Sequence, residues 1–258
     1  MTVLIIAASK SDVEIMKKAA VVLEKNKIEC EMRVCSAHRT PEMLDKMLDG
    51  KTYDVVIAAA GLAAALPGVV AAKTTAPVIG VPLTGAFEGL DALLSIIQMP
   101  PGIPVITTGV NNAEEAAEAA VKILGSKARK ANLISVRNKN QKAVDKATEI
   151  LKQFSIPYSS TDKTSADAIN ICFVDINEKE AAADKNLTIY CPTTEKENAM
   201  DAVKLLQLTR KGAWVGFNRG ENAAVAAAEI MKLSSKLTEY RWDMRRKVEE
   251  ADKEVNTK

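Results

Sequence analysis

A single histidine stands among the 258 residues, and aromatic side chains make up only 4% of them. One histidine excludes His-rich metal centres and any catalytic pair of imidazoles. So few rings mean an interior packed with aliphatic chains and alanine, and hydrophobic residues do reach 47%. The four cysteines (Cys30, Cys35, Cys172 and Cys191) show no CxxC spacing, which argues against a zinc site or a thioredoxin-like motif. Charge of one sign is also missing. The net charge is +2, with 26% of residues charged, so binding of nucleic acid through bulk electrostatics is not expected. No apolar run approaches the ~20 residues of a membrane helix. Ser9, Lys10, Ser11 and Asp12 interrupt the opening apolar run, which therefore lacks the order of a signal peptide. The expectation is a soluble, cytoplasmic, reduced protein with no membrane partner. A chain of this length buries about 70–75% of its unfolded surface and needs no metal or disulfide to hold it.

What is present is alternation. Residues 3–8 are an unbroken apolar run, the pattern of a strand buried on both faces of a parallel sheet. Residues 11–25 follow with apolar positions at Val13, Met16, Ala19, Ala20 and Leu23, a helical stripe that Ser11 or a neighbour is placed to cap. Strands are expected at 30–34, 55–60, 78–81 and 105–107, and helices at 41–48, 90–97 and 113–124. Between them, residues 61–68 read as a loop leading into a small-residue helix that ends near Lys73. Five such units imply an α/β fold: a doubly wound parallel sheet in a three-layer, flavodoxin-like arrangement.

Beyond a polar stretch at 125–130 the pattern begins again. Lys18-Ala19, Leu23 and Ile28 recur as Lys146-Ala147, Leu151 and Ile156. Val78-Ile79 and Val81-Pro82 are echoed by Thr188-Ile189 and Cys191-Pro192, Asp91-Ala92 by Asp201-Ala202, and Asn112-Ala113 by Asn222-Ala223. The shrinking offset places a lost segment near residues 164–175. The expectation is a tandem duplication with domains at 1–127 and 128–235. A terminal helix over 237–255 would carry Trp242 and Met244 on one face and pack on a neighbour.

In an open α/β sheet, ligands bind beyond the carboxyl ends of the strands, where the winding reverses. The loops expected there hold the polar clusters of the first half: 8–12, 36–41 and 60–68. Ser9 and Ser11 at a helix N-terminus offer hydroxyls and N–H groups to an anion. Arg39 adds a planar cation suited to phosphate oxygens. Asp12 suits sugar hydroxyls, and His38 has the one side chain whose ordinary pKa lies near neutrality. Gly61 and its small neighbours let backbone approach a planar ligand. Together they describe a pocket for a phosphorylated ribose carrying a ring.

The segments Ala8-Ser9-Lys10-Ser11-Asp12, Ser36-Ala37-His38-Arg39-Thr40-Pro41, Leu66-Pro67-Gly68, 76–82 and 98–105 resemble the PurE family across residues 1–125. That family comprises N5-carboxyaminoimidazole ribonucleotide (N5-CAIR) mutase and aminoimidazole ribonucleotide (AIR) carboxylase of purine biosynthesis. The resemblance implies substrate binding by Ser9, Ser11, Asp12, Ser36, Ala37, Arg39, Gly61 and Leu66. It also implies that His38 handles the proton as CO2 moves from the exocyclic nitrogen to ring carbon C4. No metal and no cofactor is implied, and the partners are the ribonucleotide, CO2 and further copies of the chain, as a tetramer standing in for an octamer. Ala8 and Leu62 replace common glycines, and Ala65 stands where mutase-type members commonly carry a second histidine. Ser9, Ser11 and Asp12 map onto Arg137, Lys139 and Asn140, so the second copy is expected to be catalytically empty. Two alternatives stay open: direct carboxylation by CO2, and a nucleotide-binding scaffold without turnover.

Overall fold

The computed structural model describes residues 1–178 and 184–256. Ten strands form one sheet: β1 (Thr2–Ala7), β2 (Glu29–Val34), β3 (Val55–Ala60), β4 (Val78–Pro82), β5 (Ile106–Thr107), β6 (Ala131–Arg137), β7 (Tyr158–Thr161), β8 (Ile169–Asp175), β9 (Thr188–Thr193) and β10 (Ala213–Trp214). Their spatial order is β2-β1-β3-β4-β5-β10-β9-β8-β6-β7. Each half therefore runs 2-1-3-4-5 in its own count, and the halves meet back to back. Every pairing is parallel except β5 with β10, where Trp214 faces Thr107 antiparallel. No helix among the described residues is long and apolar enough to cross a membrane.

Helices cover both faces of the first half: α1 (Val13–Lys25), α2 (Pro41–Leu48), α3 (Leu66–Lys73), α4 (Leu90–Ile97) and α5 (Ala113–Gly125). Successive side chains of a strand point to opposite faces. Thus Val3, Ile5 and Ala7 pack with α1 and α5, while Leu4 and Ile6 pack on the opposite side with α2, α3 and α4. Burial on both faces is why these strands read as unbroken apolar runs. The second half has α6 (Gln141–Gln153), α7 (Asp201–Leu208) and α8 (Gly220–Ile230), and α9 (Ser234–Asn256) closes the chain.

The two halves share backbone detail as well as order. Val3 pairs with Cys30 and Ala131 with Tyr158, each 128 residues on. The left-handed residue after α1, Lys27 (φ 57°), recurs after α6 as Ser155 (φ 55°). Asn111 (φ 58°) recurs as Asn218 (φ 55°), and both side-chain carbonyls accept from a threonine N–H, Thr84 at 3.0 Å and Thr194 at 3.1 Å. This last pair corrects the sequence alignment. Asn112 precedes α5 as Arg219 precedes α8, so Asn112 corresponds to Arg219 and not to Asn222. Asn222 lies inside α8 and reaches the first half instead. Its carbonyl accepts from Gly102 N–H at 2.7 Å, and its amide donates to Pro100 O at 3.0 Å.

The segment expected to be missing near residues 164–175 is also placed differently. β8 is present over Ile169–Asp175, and the main shortening lies before it, at residues 162–168, where the first half places α2. Two buried asparagines occupy the positions that Leu4 and Val56 hold under that helix. Asn132 donates to Lys163 O at 2.9 Å and accepts from Thr161 Oγ1 at 3.0 Å; Asn170 accepts from Ser165 N–H and donates to Ser165 O. A loop without helical hydrogen bonds needs its buried backbone groups met by side chains.

Helix α9 departs from expectation. Trp242 and Met244 are two positions apart, about 200° around a helix, and cannot share a face. Met244 packs against Gly102, while Trp242 is 60% exposed and lies under the Arg246 guanidinium. Helix α9 is held to its own chain by Arg241, which donates to Ala71 O and Thr74 O at the end of α3 and pairs with Glu229 of α8 at 2.7 Å. Burial raises the Glu229 carboxyl to about 8 against the pull of Arg241.

Candidate active site

The polar loops of the first half surround a cleft of about 460 Å³ at the carboxyl ends of β1, β2, β3 and β4. Ser9, Ser11, Asp12, Ser36, Ala37, His38, Arg39, Gly61 and Leu66 all line it. The topology explains why loops far apart in sequence converge. β1 lies between β2 and β3, and all three run parallel, so their following loops emerge side by side.

The first loop is shaped by a short 3₁₀ turn at Lys10–Asp12 that precedes α1. Neither Ser9 nor Asp12 makes a side-chain cap bond, contrary to the capping role a serine at this point suggests. Instead the Ser9 and Ser11 hydroxyls meet at 2.6 Å, and Ser11 donates to Asp12 Oδ1 at 3.3 Å. The hydroxyls face one another at the cleft and remain able to turn toward a ligand oxygen.

The second loop is closed by Thr40. Its hydroxyl accepts from Ser36 N–H at 3.0 Å and donates to Ser36 O at 3.1 Å, leaving His38 exposed at the turn between them. Arg39 lies across the gap between the two loops. Its Nε donates to Ser36 Oγ at 3.4 Å and its Nη2 to Ala8 O at 3.4 Å. These are long bonds to neutral acceptors, and no carboxylate pairs with Arg39 among the described residues. The guanidinium therefore keeps its charge for an incoming anion.

The opposite wall is apolar. Helix α3 begins at Leu66, earlier than the sequence pattern suggested, because Pro67 sits in its first turn, where a missing N–H costs nothing. The loop is thereby shortened to 61–65, with Ala63 left-handed at φ 48°. Ala60, Gly61, Leu62, Ala63, Ala65 and Leu66 make up this side. A fourth segment, Leu83, Thr84 and Gly85 after β4, completes the rim. It was not foreseen, although a loop after the next parallel strand must open at the same end. Asn111 fixes it, donating from Nδ2 to Thr84 Oγ1 at 2.6 Å.

The cleft thus joins one imidazole, one guanidinium, one carboxylate and three serine hydroxyls on one side to a small apolar wall on the other. The family model described as AIR carboxylase matches residues 2–144. The chain belongs to the AIR carboxylase family. The chain is 50% identical over 153 residues to the N5-carboxyaminoimidazole ribonucleotide mutase of Methanocaldococcus jannaschii, covering 58% of this chain and 96% of that protein. It is 54% identical over 127 residues to the mutase of Pyrococcus abyssi, covering 48% of this chain and 73% of that one. A chloroplastic phosphoribosylaminoimidazole carboxylase of Vigna aconitifolia is 48% identical over 124 residues, covering 46% of this chain and 22% of that one.

The AIR carboxylase match ends inside α6, and the second half is built differently at the corresponding place. Arg137, Lys139 and Asn140 stand where the first half has Ser9, Ser11 and Asp12. Here Lys139 N–H donates to Thr193 Oγ1 at 3.1 Å, and Asn140 Nδ2 donates to Thr194 O at 3.1 Å. These bonds tie the loop after β6 to the one after β9, across the end of β8. The corresponding loops of the first half stay apart, and the cleft lies between them. A separate hollow of about 410 Å³ over Ile134, Cys172 and Tyr190 lies on the sheet face that α2 covers in the first half.

Proposed function

We propose that the first half converts N5-CAIR into the C4-carboxylated ribonucleotide (CAIR) of purine biosynthesis by moving CO2 from the exocyclic nitrogen to ring carbon C4. The observation that carries this reading is the cleft itself. It places His38 and Arg39 on consecutive residues between the serine loop and an apolar wall, within a stretch of 153 residues that is 50% identical to a named mutase. Arg39 and the hydroxyls of Ser9, Ser11 and Ser36 hold the phosphate, and Asp12 accepts from the ribose hydroxyls. The bond from N5 to the carboxyl carbon breaks and N5 takes up a proton; the bond from C4 to CO2 forms and C4 gives up its proton. The net proton transfer is from C4 to N5, which one general acid–base group can perform in both directions. His38 is that group. The wall from Gly61 to Leu66 excludes water around the neutral CO2 between the two steps.

Ala65 favours a second reading, direct carboxylation of AIR by dissolved CO2, because the wall offers no imidazole to retain a migrating carboxyl group. Purified protein is given N5-CAIR in one assay and AIR with bicarbonate in another, and C4-carboxylated product is followed. Product from the first substrate alone supports the mutase. Product from the second at an equal rate supports the carboxylase. Binding without product in either supports a nucleotide-binding scaffold.

The second half is read as a degenerate tandem copy that completes the assembly and turns over no substrate, and the whole chain as a cytoplasmic homo-oligomer. The repeated strand order and the repeated left-handed residues support the duplication.

A further inference from the structure

Helix α9 carries one row of heptad-spaced positions along its whole length, apolar at Leu237, Met244, Val248, Ala251 and Val255 and interrupted at Arg241. The spacing alternates four and three, the heptad pattern of a helix that packs against another helix. The first part of the stripe is covered by the chain itself. Leu237 is fully buried, Arg241 reaches Ala71, Thr74 and Glu229, and Met244 packs on Gly102. From residue 245 onward every residue through 256 is exposed, with Val248 at 71% and Val255 at 75%. These last three turns span about 18 Å. An isolated helix of that length is marginal in water, and the same stripe that anchors α9 continues along it uncovered.

We infer that residues 245–256 of α9 pair antiparallel with the same segment of a second copy of this chain, the stripe at Val248, Ala251 and Val255 forming the seam. The flanking charges select this occupant. Arg245 and Asp252 hold one pair of equivalent heptad positions beside the seam, and Lys247 and Glu254 hold the other. In an antiparallel pair, like positions face each other across the seam. With Val248 set against the partner's Ala251, Lys247 meets Glu254 of the partner subunit and Arg245 meets Asp252 of the partner subunit. A two-fold axis produces each contact twice. Neither Lys247 nor Glu254 has an ion-pair partner within the chain among the described residues. Length agrees as well. In this register the two bodies, each ending at Met244, stand at opposite ends of the paired segment.

The test uses the full chain and a short bismaleimide cross-linker. Ala251→Cys, on the seam, is expected to give covalent dimer, while Lys253→Cys, on the far side of the helix, gives several-fold less. Adding Lys247→Glu to Ala251→Cys sets like charges against each other and lowers the yield several-fold. Adding Glu254→Lys to that variant reverses both contacts and restores the yield. Unchanged turnover reports that the body is folded, since none of these residues lies near the cleft. Equal yields from positions 251 and 253 overturn the proposal. So does a yield that Glu254→Lys fails to restore but Asp252→Lys does, which is the result for a parallel pair.

Discussion

The two ends of the sheet follow one backbone plan and reach opposite outcomes. After β1 the chain places two serines and an aspartate whose side chains, among the described residues, bond only to one another, and the neighbouring loops stay apart. After β6 the same three positions carry arginine, lysine and asparagine, and two hydrogen bonds draw that loop to the one after β9. Beneath the loops, Leu4 and Val56 under a helix are matched by Asn132 and Asn170 under an irregular segment. A parallel sheet provides a place for a site at every switch point. Whether a site exists there depends on whether the loops satisfy their own polar groups or leave them for a ligand.

Four substitutions, with Lys139→Ala as a control, probe this contrast. The largest effect is expected at His38. His38→Asn removes the only imidazole and lowers turnover by roughly 10²–10⁴-fold, while Lys139→Ala in the corresponding loop of the second half changes it less than twofold. Steady-state assays of both variants check this, and equal losses would end the distinction between a working and an empty half. Next comes the clamp that joins the halves. Arg241→Ala leaves Glu229 buried without its partner and frees the end of α3, costing about 2–4 kcal/mol in denaturant unfolding.

Asn132→Leu places the first half's residue under the second half's loop. It is expected to destabilise by about 1–3 kcal/mol, because Lys163 O, Thr161 and Ser159 each lose a hydrogen bond to Asn132 with no helix to compensate. Amide exchange over 162–168 should rise in this variant, and a stabilised protein would show that the loop does not depend on its asparagines. The smallest effect is at Arg39. Arg39→Lys keeps the charge but loses the planar fork, so KM should rise about tenfold, near 1.4 kcal/mol, with kcat less affected.

Much of this was legible in the chain. The strands of the first half announce themselves because burial on both faces demands unbroken apolar runs, and α1 and α5 because burial on one face demands a stripe. The three polar loops were legible because a strand that ends in serine, histidine or glycine has no apolar reason to do so. The fourth wall at Thr84 and Gly85 was missed because its residues carry no chemical signature. The alignment of Asn112 with Asn222 misled because an identical pair of letters outweighed the left-handed residue that marks each turn.

The sequence by itself determined the local matters: which segments form strands and helices, where the small and polar loops fall, and that the chain holds a single imidazole. Each depends on the neighbours along the chain, through periodicity, capping and turn residues. The tertiary structure decided that the two halves join through an antiparallel contact of β5 and β10. It also decided that Arg241 and Asn222 brace the first half from the second, and that one set of loops stays open while its counterpart is tied shut. Those outcomes rest on partners more than 50 residues apart, and no local pattern encodes which buried polar group will find which.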